Sequence, residues 1–202
     1  MESSPLKHIP LTPVLLAGGK SPRMGRDKAL LEFDGEPLWR RQVRLLESLH
    51  PSELLVSGPR REEFPVAVRH VADAGESRGP LSGIVSALEA SAQPHVLVLA
   101  IDLPQMTAAF LHELVGRVLP GRGVVPFSDD ARAARRFYEP LAAVYPRSCL
   151  ELAIRQLAGT DYSMQRFVRA AVAAGTIVEF RIPPEALPLF QNFNTPEDLA
   201  SG

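Results

Sequence analysis

One segment of this sequence concentrates the groups that bind polyanions. Leu16-Ala17-Gly18-Gly19-Lys20-Ser21-Pro22-Arg23-Met24-Gly25-Arg26-Asp27-Lys28 places three glycines, a hydroxyl and four cations directly after a short apolar run. Glycine lacks the Cβ that would hold a ligand away from the backbone, so such a loop can bring N–H groups against phosphate oxygens. The same residues also suit a glycine-rich surface loop with solvated cations. Two familiar phosphate loops are excluded by spacing. Val14 stands where a Walker A loop needs its first glycine, and Lys20 stands where a dinucleotide fingerprint needs its second. The other residue placed for chemistry is Asp102, which closes the most apolar run of the chain, Val96–Ile101. A carboxylate there packs poorly but is suited to Mg2+, which takes one or two carboxylates plus substrate phosphates. Its alternative role is to stabilise the turn into Leu103-Pro104.

The remaining candidates are weighed in the same way. Lys28 offers a triphosphate a movable point charge, or is a solvated lysine opening a helical turn. It is one of only three lysines in a chain that otherwise uses arginine. Arg23 offers a planar fork able to clamp β- and γ-phosphates, whereas Lys20 reads as solvent-facing. Asn192 and Asn194 flank Phe193, so on extended chain both amides lie on one side and the ring on the other. Thr195-Pro196 then reads as the start of a short helix. Arg132, Arg135 and Arg136 read as a basic loop between two strands, either solvated or reaching an anionic acceptor. The histidines make no ligand pair: His8, His50, His95 and His112 fall at element ends and His70 in a strand, so all read as structural.

Taken together, L-A-G-G-x-S-x-R-M-G-x-D-K from Leu16 to Lys28 resembles the signature of nucleotidyltransferases that attach a nucleoside monophosphate to a phosphorylated acceptor. It is most similar to the molybdenum cofactor guanylyltransferases. Further pieces follow in the family's order: Asp73, Gly79-Pro80-Leu81-Ser82-Gly83, Asp102-x-Pro104, and Asn192-Phe193-Asn194-Thr195-Pro196. The resemblance implies a Mg2+-dependent enzyme that moves GMP from GTP to the phosphate of molybdopterin and releases pyrophosphate. It implies that Asp102 holds the metal and that Asp102, Lys28 and Arg23 are catalytic. Leu16, Ala17, Gly18, Gly19, Arg23, Gly25, Lys28, Ser57, Asp73, Gly79, Pro80 and Asp102 would bind GTP. Asn192 and Asn194 would lie near the metal or the acceptor phosphate, and proteins that deliver or receive the cofactor would be partners. Ser57 departs from the family, which places an asparagine there, so a cytidylyltransferase on molybdopterin or another small phosphorylated acceptor is the alternative. A non-catalytic nucleotide-binding module stands behind both.

The elements that must position these residues follow from hydrophobic patterning. Short apolar runs at Val14–Ala17, Leu54–Ser57, Val66–Val68, Val96–Ile101, Val124–Phe127, Leu141–Tyr145 and Ile177–Ile182 read as strands. Helices are expected from Leu38 to Leu49, from Gly79 through Leu88, over Ala108–Val118, Leu150–Leu157 and Gln165–Ala174. This alternation predicts an α/β fold: a Rossmann-like, doubly wound, mostly parallel sheet in three α/β/α layers, with ligands at the carboxyl ends of its strands. The resemblance adds a nucleotide-diphospho-sugar transferase-like arrangement.

With 202 residues the chain is sized for one domain, read as 11–202 after a disordered Pro- and Ser-containing lead-in over 1–10. Its 22 basic and 23 acidic residues nearly cancel and aromatics are 6%, which argues against a nucleic-acid partner. No apolar run is long enough for a membrane span. A single cysteine, Cys149, and no apolar leader lead to the expectation of a cytoplasmic protein.

Overall fold

The computed structural model describes residues 9–18, 28–65, 68–72, 78–130 and 135–193. Its strands are β1 (Leu11–Leu16), β2 (Glu32–Phe33), β3 (Glu36–Pro37), β4 (Leu55–Ser57), β5 (Arg69–Val71), β6 (His95–Ala100), β7 (Gly123–Asp130), β8 (Arg135–Tyr138), β9 (Ala142–Pro146) and β10 (Ile177–Arg181). The helices are α1 (Leu38–Glu47), α2 (Pro80–Ala90), α3 (Ala108–Gly116), α4 (Leu150–Leu157) and α5 (Met164–Ala173). The sheet runs β10-β7-β9-β6-β1-β4-β5, with β8 on β7. Parallel pairings join β1 to β4 and β6, β4 to β5, and β7 to β10. The three antiparallel pairings are β6 with β9 and β7 with β8 and β9. The expected α/β sheet is therefore present, mostly parallel, with β9 running against its neighbours in the middle.

Both faces are covered, as the unbroken apolar runs require. All six residues of β1 and all six of β6 are buried. Successive side chains alternate between the two layers. Leu15, Val56, Leu97 and Leu99 pack with Leu38, Trp39, Val43 and Leu46 of α1 and Phe110, Leu111 and Leu114 of α3. Val14, Leu16, Leu55, Val96 and Val98 pack with Leu81, Ile84 and Leu88 of α2 and Phe167 and Val168 of α5. Among the described residues, no helix is long and apolar enough to cross a membrane.

Three local departures from the expected elements have physical causes. An edge strand not expected from apolarity runs over Arg69–Val71, with Leu55 opposite Arg69 and Val56 opposite His70, while Val66 and Ala67 of the strand expected at Val66–Val68 lie outside the described residues. This short sheet edge takes polar residues, and Arg69 pairs with Glu53 at 2.7 Å. The basic stretch expected to be a loop is, from Arg135, strand β8, because it pairs in register with β7, Phe127 opposite Tyr138 and Asp129 opposite Arg136, while Arg136 itself bonds to Glu179 of β10. The polar loop before α1 holds a β2–β3 hairpin whose turn, Asp34-Gly35, has φ of 53° and 74°, the Asp-Gly signal of a two-residue turn. His112 lies inside α3 rather than at its end.

A tight turn links β8 to β9. The buried Tyr145 hydroxyl donates to the Pro140 carbonyl at 2.7 Å and fixes it. Tyr145→Phe would leave that carbonyl unpaired inside the fold, so a loss of about 1–2 kcal/mol is expected in urea unfolding, with an unchanged m value.

Candidate functional site

Strands β1 and β6 lie side by side, and their onward connections diverge: β1 leads through α1 to β4 on one side, and β6 through α3 to β7 on the other. A crevice between such strand ends is where open α/β sheets bind ligands. The two ends are fastened together, with Ile101 N–H donating to the Leu16 carbonyl at 3.1 Å. Leu16, Ala17 and Gly18 therefore emerge next to Ile101 and Asp102. The structure brings together these two features, which are 84 residues apart between Gly18 and Asp102.

On the β4 side, two glycines permit close approach. Gly58 has φ of 127°, and a Cβ there would stand 2.6 Å from Gly18 N and 2.8 Å from Gly18 Cα. Ala17 N–H donates to the Ser57 carbonyl at 2.9 Å. Arg61 Nη2 donates to the Ala17 carbonyl at 3.1 Å while its guanidinium lies over Phe64. Ser57 itself is buried beneath α2: a Cβ on Gly83 would meet its Oγ at 2.6 Å. Ser57 thus seats the helix that begins with Gly79 and Pro80, whose first turn is tied by Arg78 N–H to Ser82 Oγ at 3.0 Å. Phe64 stacks on His70, whose imidazole pKa is lowered by burial and by the charges of Arg60 and Arg61.

Asp102 is half-buried, two residues beyond β6, in a turn whose carbonyls are taken up by distant donors. Phe193 N–H donates to the Asp102 carbonyl at 3.0 Å. Gln42 Nε2 donates to the Leu103 carbonyl at 2.7 Å, and Arg41 Nε to the Pro104 carbonyl at 2.6 Å. Both side chains come from α1, where Gln42 is fully buried. Arg41 also lies over Phe33, which meets Phe193 edge-on at 5.5 Å. Thr107, not Asp102, caps α3, its side chain accepting from Phe110 N–H at 3.3 Å. As the alternation requires, Phe193 is buried and Asn192 exposed.

Lys28 begins a short 3-10 turn over Lys28–Leu30. Gly19, Arg23, Gly25, Asp73, Asn194 and Arg132 lie outside the described residues, as do Thr195 and Pro196. Arg136 is engaged within the fold, bonded to Glu179 and stacked over Phe127 at 4.7 Å, while Tyr138 OH donates to the same Glu179 at 2.6 Å. Among the described residues, no group of three or more His, Cys, Asp or Glu could hold a metal ion. Sequence reading missed Arg41, Gln42, Gly58 and Arg61. Gly58-Pro59 directly after an apolar run was a usable signal for a tight turn; the contacts of Arg41 and Gln42, more than 60 residues away in sequence, carried none.

Glu139 also belongs to this edge of the sheet. Its N–H donates to the Pro126 carbonyl at 2.9 Å, and the Leu141 carbonyl accepts from Ala100 N–H at 2.8 Å, so the Glu139–Leu141 turn abuts the end of β6. Burial pushes its carboxyl up to about 7.

The sequence profile described as "MobA-like NTP transferase domain" matches residues 13–175. The chain is 38% identical to a protein of Opitutus terrae named "Probable molybdenum cofactor guanylyltransferase", covering 93% of this chain and 92% of that one. It is 32% identical to a molybdenum cofactor guanylyltransferase of Pseudomonas fluorescens, covering 96% of each. Among solved structures it is similar to molybdopterin-guanine dinucleotide biosynthesis protein A of Archaeoglobus fulgidus, at TM-score 0.69, 20% identity and coverage of 94% and 95%. It is also similar to 2-C-methyl-D-erythritol 4-phosphate cytidylyltransferase of Thermus thermophilus, at TM-score 0.68, 18% identity and coverage of 93% and 95%. At these identities the structural likenesses establish the fold alone.

The raised pKa of Glu139 has a signed consequence. The unfolded carboxyl ionises near the ordinary 4.5 and the folded one near 7, so this group's contribution to stability declines as pH rises through that interval and is flat above it. Relative to the parent, Glu139→Gln should gain up to about 3 kcal/mol between pH 4 and pH 8. Thermal or urea unfolding at the two pH values reads this directly. A difference that does not change with pH would remove the burial penalty.

Proposed function

The chain belongs to the MobA-like NTP transferase family and is a nucleotidyltransferase, and on that premise we propose that it transfers GMP from GTP to the terminal phosphate of molybdopterin. The observation that carries this reading is the fastening of the Leu16–Gly18 strand end to the Ile101–Asp102 strand end at the divergence of β1 and β6. It supports a site in which the segment that begins at Gly18 would hold phosphates near a single carboxylate.

In the proposed reaction an oxygen of the acceptor phosphate attacks the α-phosphorus of GTP. A new P–O–P linkage forms, the bond from the α-phosphorus to the α,β-bridging oxygen breaks, and pyrophosphate leaves with that electron pair. The attacking phosphate monoester is already anionic at neutral pH, so no general base is needed. What remains for the protein is positioning and charge neutralisation. Gly18, Gly19 and Gly25 would present backbone N–H groups to the triphosphate, with Arg23 and Lys28 as its cations. Leu16, Ala17, Ser57, Asp73, Gly79 and Pro80 would line the nucleoside side. Asn192 and Asn194 would lie toward the acceptor phosphate, next to Phe193, which already touches the Asp102 backbone.

The donor set fits Mg2+: one half-exposed carboxylate at a strand end, with triphosphate oxygens and water completing the shell. Asp102 would hold the ion, which when bound neutralises charge developing on the phosphate oxygens. Arg41, Gln42 and the Phe193 backbone hold the turn that aims Asp102.

Two measurements test the reading. With Mg2+ and molybdopterin, purified protein should release pyrophosphate from GTP and form the guanine dinucleotide; equal or better use of CTP would replace guanylyl by cytidylyl transfer. Asp102→Asn should lower turnover by at least about 100-fold, the scale expected for loss of a metal-binding or electrostatic group, while GTP-free stability changes little. Undiminished pyrophosphate release by that variant would remove the metal role.

A further inference from the structure

Glu139 is a half-buried titratable group to which the proposed reaction gives no task, and it lies at the same end of the sheet as Asp102. Glu139 stands in the turn between β8 and β9, joined to the end of β6 through the Leu141–Ala100 hydrogen bond. Asp102 follows Ala100 by two residues. The nucleotide-side features Gly58, Ser57 and α2 all lie across β1, toward β4. Glu139 therefore occupies the opposite, β9 flank of Asp102. Tyr138, its neighbour, packs with Phe127 in the layer of α2 and α5, and Glu139 follows it into the turn with its N–H on the Pro126 carbonyl.

The charges around it are already committed. Arg136 is bonded to Glu179, Arg181 to Asp129, and Tyr138 OH to Glu179. Among the described residues, nothing donates a hydrogen bond or ion pair to the Glu139 carboxyl, and burial is the sole influence on its acidity. A half-buried carboxyl with no partner costs stability unless a ligand supplies the donors.

We propose that Glu139 is a specificity residue for the acceptor, its two carboxylate oxygens receiving the paired N–H donors of a 2-amino-4-oxopteridine ring. This rests on the functional reading above. The match is geometric: ring N3–H and the adjacent 2-amino group form two parallel donors, the same fork that a guanidinium offers a carboxylate. Guanine carries the same donor pair, so GTP is a second source of this chemistry. Topology favours the pteridine, because the nucleoside side lies beyond β1.

The test exploits the difference between a carboxylate and an amide. A glutamine in place of Glu139 presents one acceptor and one donor, which mismatches the 2-amino-4-oxo edge but matches a 2,4-dioxopteridine, whose N3–H and C2 carbonyl are donor and acceptor. Fluorescence titrations of the two pteridines, each with a phosphorylated side chain, would be made near pH 7 on wild type and Glu139→Gln. The wild type should prefer the 2-amino compound about tenfold or more, and Glu139→Gln should reverse the order. Affinities for GTP and for ITP, which lacks the 2-amino group, should be the same in both proteins. Equal weakening of both pteridines, or no change in either, overturns the inference, and unfolding curves at the same pH show whether folding is responsible. A reversal confined to GTP and ITP overturns it in favour of guanine recognition. If the wild type binds neither pteridine yet transfers GMP to molybdopterin, the inference fails while the function stands. If pteridine preference reverses but no GMP transfer occurs, the functional reading fails instead.

Discussion

Three consecutive carbonyls, of Asp102, Leu103 and Pro104, are each held by a donor from far away in the sequence, and the rest of the site depends on that arrangement. A turn leaving a central buried strand exposes peptide groups that cannot all reach water, and each one left unpaired would cost about 1–3 kcal/mol. Here the donors are a buried amide and a guanidinium from α1 and a backbone N–H from the C-terminal segment. With its carbonyls fixed, the turn has little freedom to rotate, and the Asp102 side chain has a defined base. The same contacts bring Phe33, Arg41 and Phe193 into one stack, so the chain's first helix and its last described residues meet over the carboxyl end of β6.

The fold divides the site into two halves of different character. On the β4 flank, glycines at 58 and 83 let backbone and helix approach within distances that a Cβ would forbid, and Arg61 holds the Ala17 carbonyl. That flank is built for close backbone contact. On the β9 flank the chain reverses, a hydroxyl is buried to hold one peptide, and a carboxyl is kept out of water. Keeping such a group costs stability at neutral pH, the kind of cost that functional positions carry.

The parts legible in the sequence were those set by long apolar runs. The runs now seen as β1 and β6 announced a doubly covered sheet, and Gly18 and Asp102 each follow a strand end, as expected; that the two strands are neighbours was not legible. Elements set by cross-strand partners were not legible. Arg135 and Arg136 read as loop residues because what makes them a strand is backbone pairing with β7 and, for Arg136, the Glu179 carboxylate of β10, and hydrophobicity carries no record of either. The strand over Arg69–Val71 was not legible because register with β4, rather than local apolarity, decides an edge strand. Asp34-Gly35 did carry a hairpin signal, hidden by the shortness of its two-residue strands. The antiparallel insertion of β9 left no trace in the alternation of strands and helices.

The hydrogen bond from Phe193 to the Asp102 carbonyl also orders events in time. During synthesis, the strands around β1 and β6 can assemble and bury their side chains while the C-terminal segment is still unmade, since domains build from the N-terminus as the chain emerges. The Asp102 turn keeps its first carbonyl open until the Phe193 segment arrives and closes a loop of about ninety residues, a contact whose entropy is lost late. A chain clipped before Phe193 would thus be folded in its core but slack at its carboxylate, the site being the last part of the fold to close.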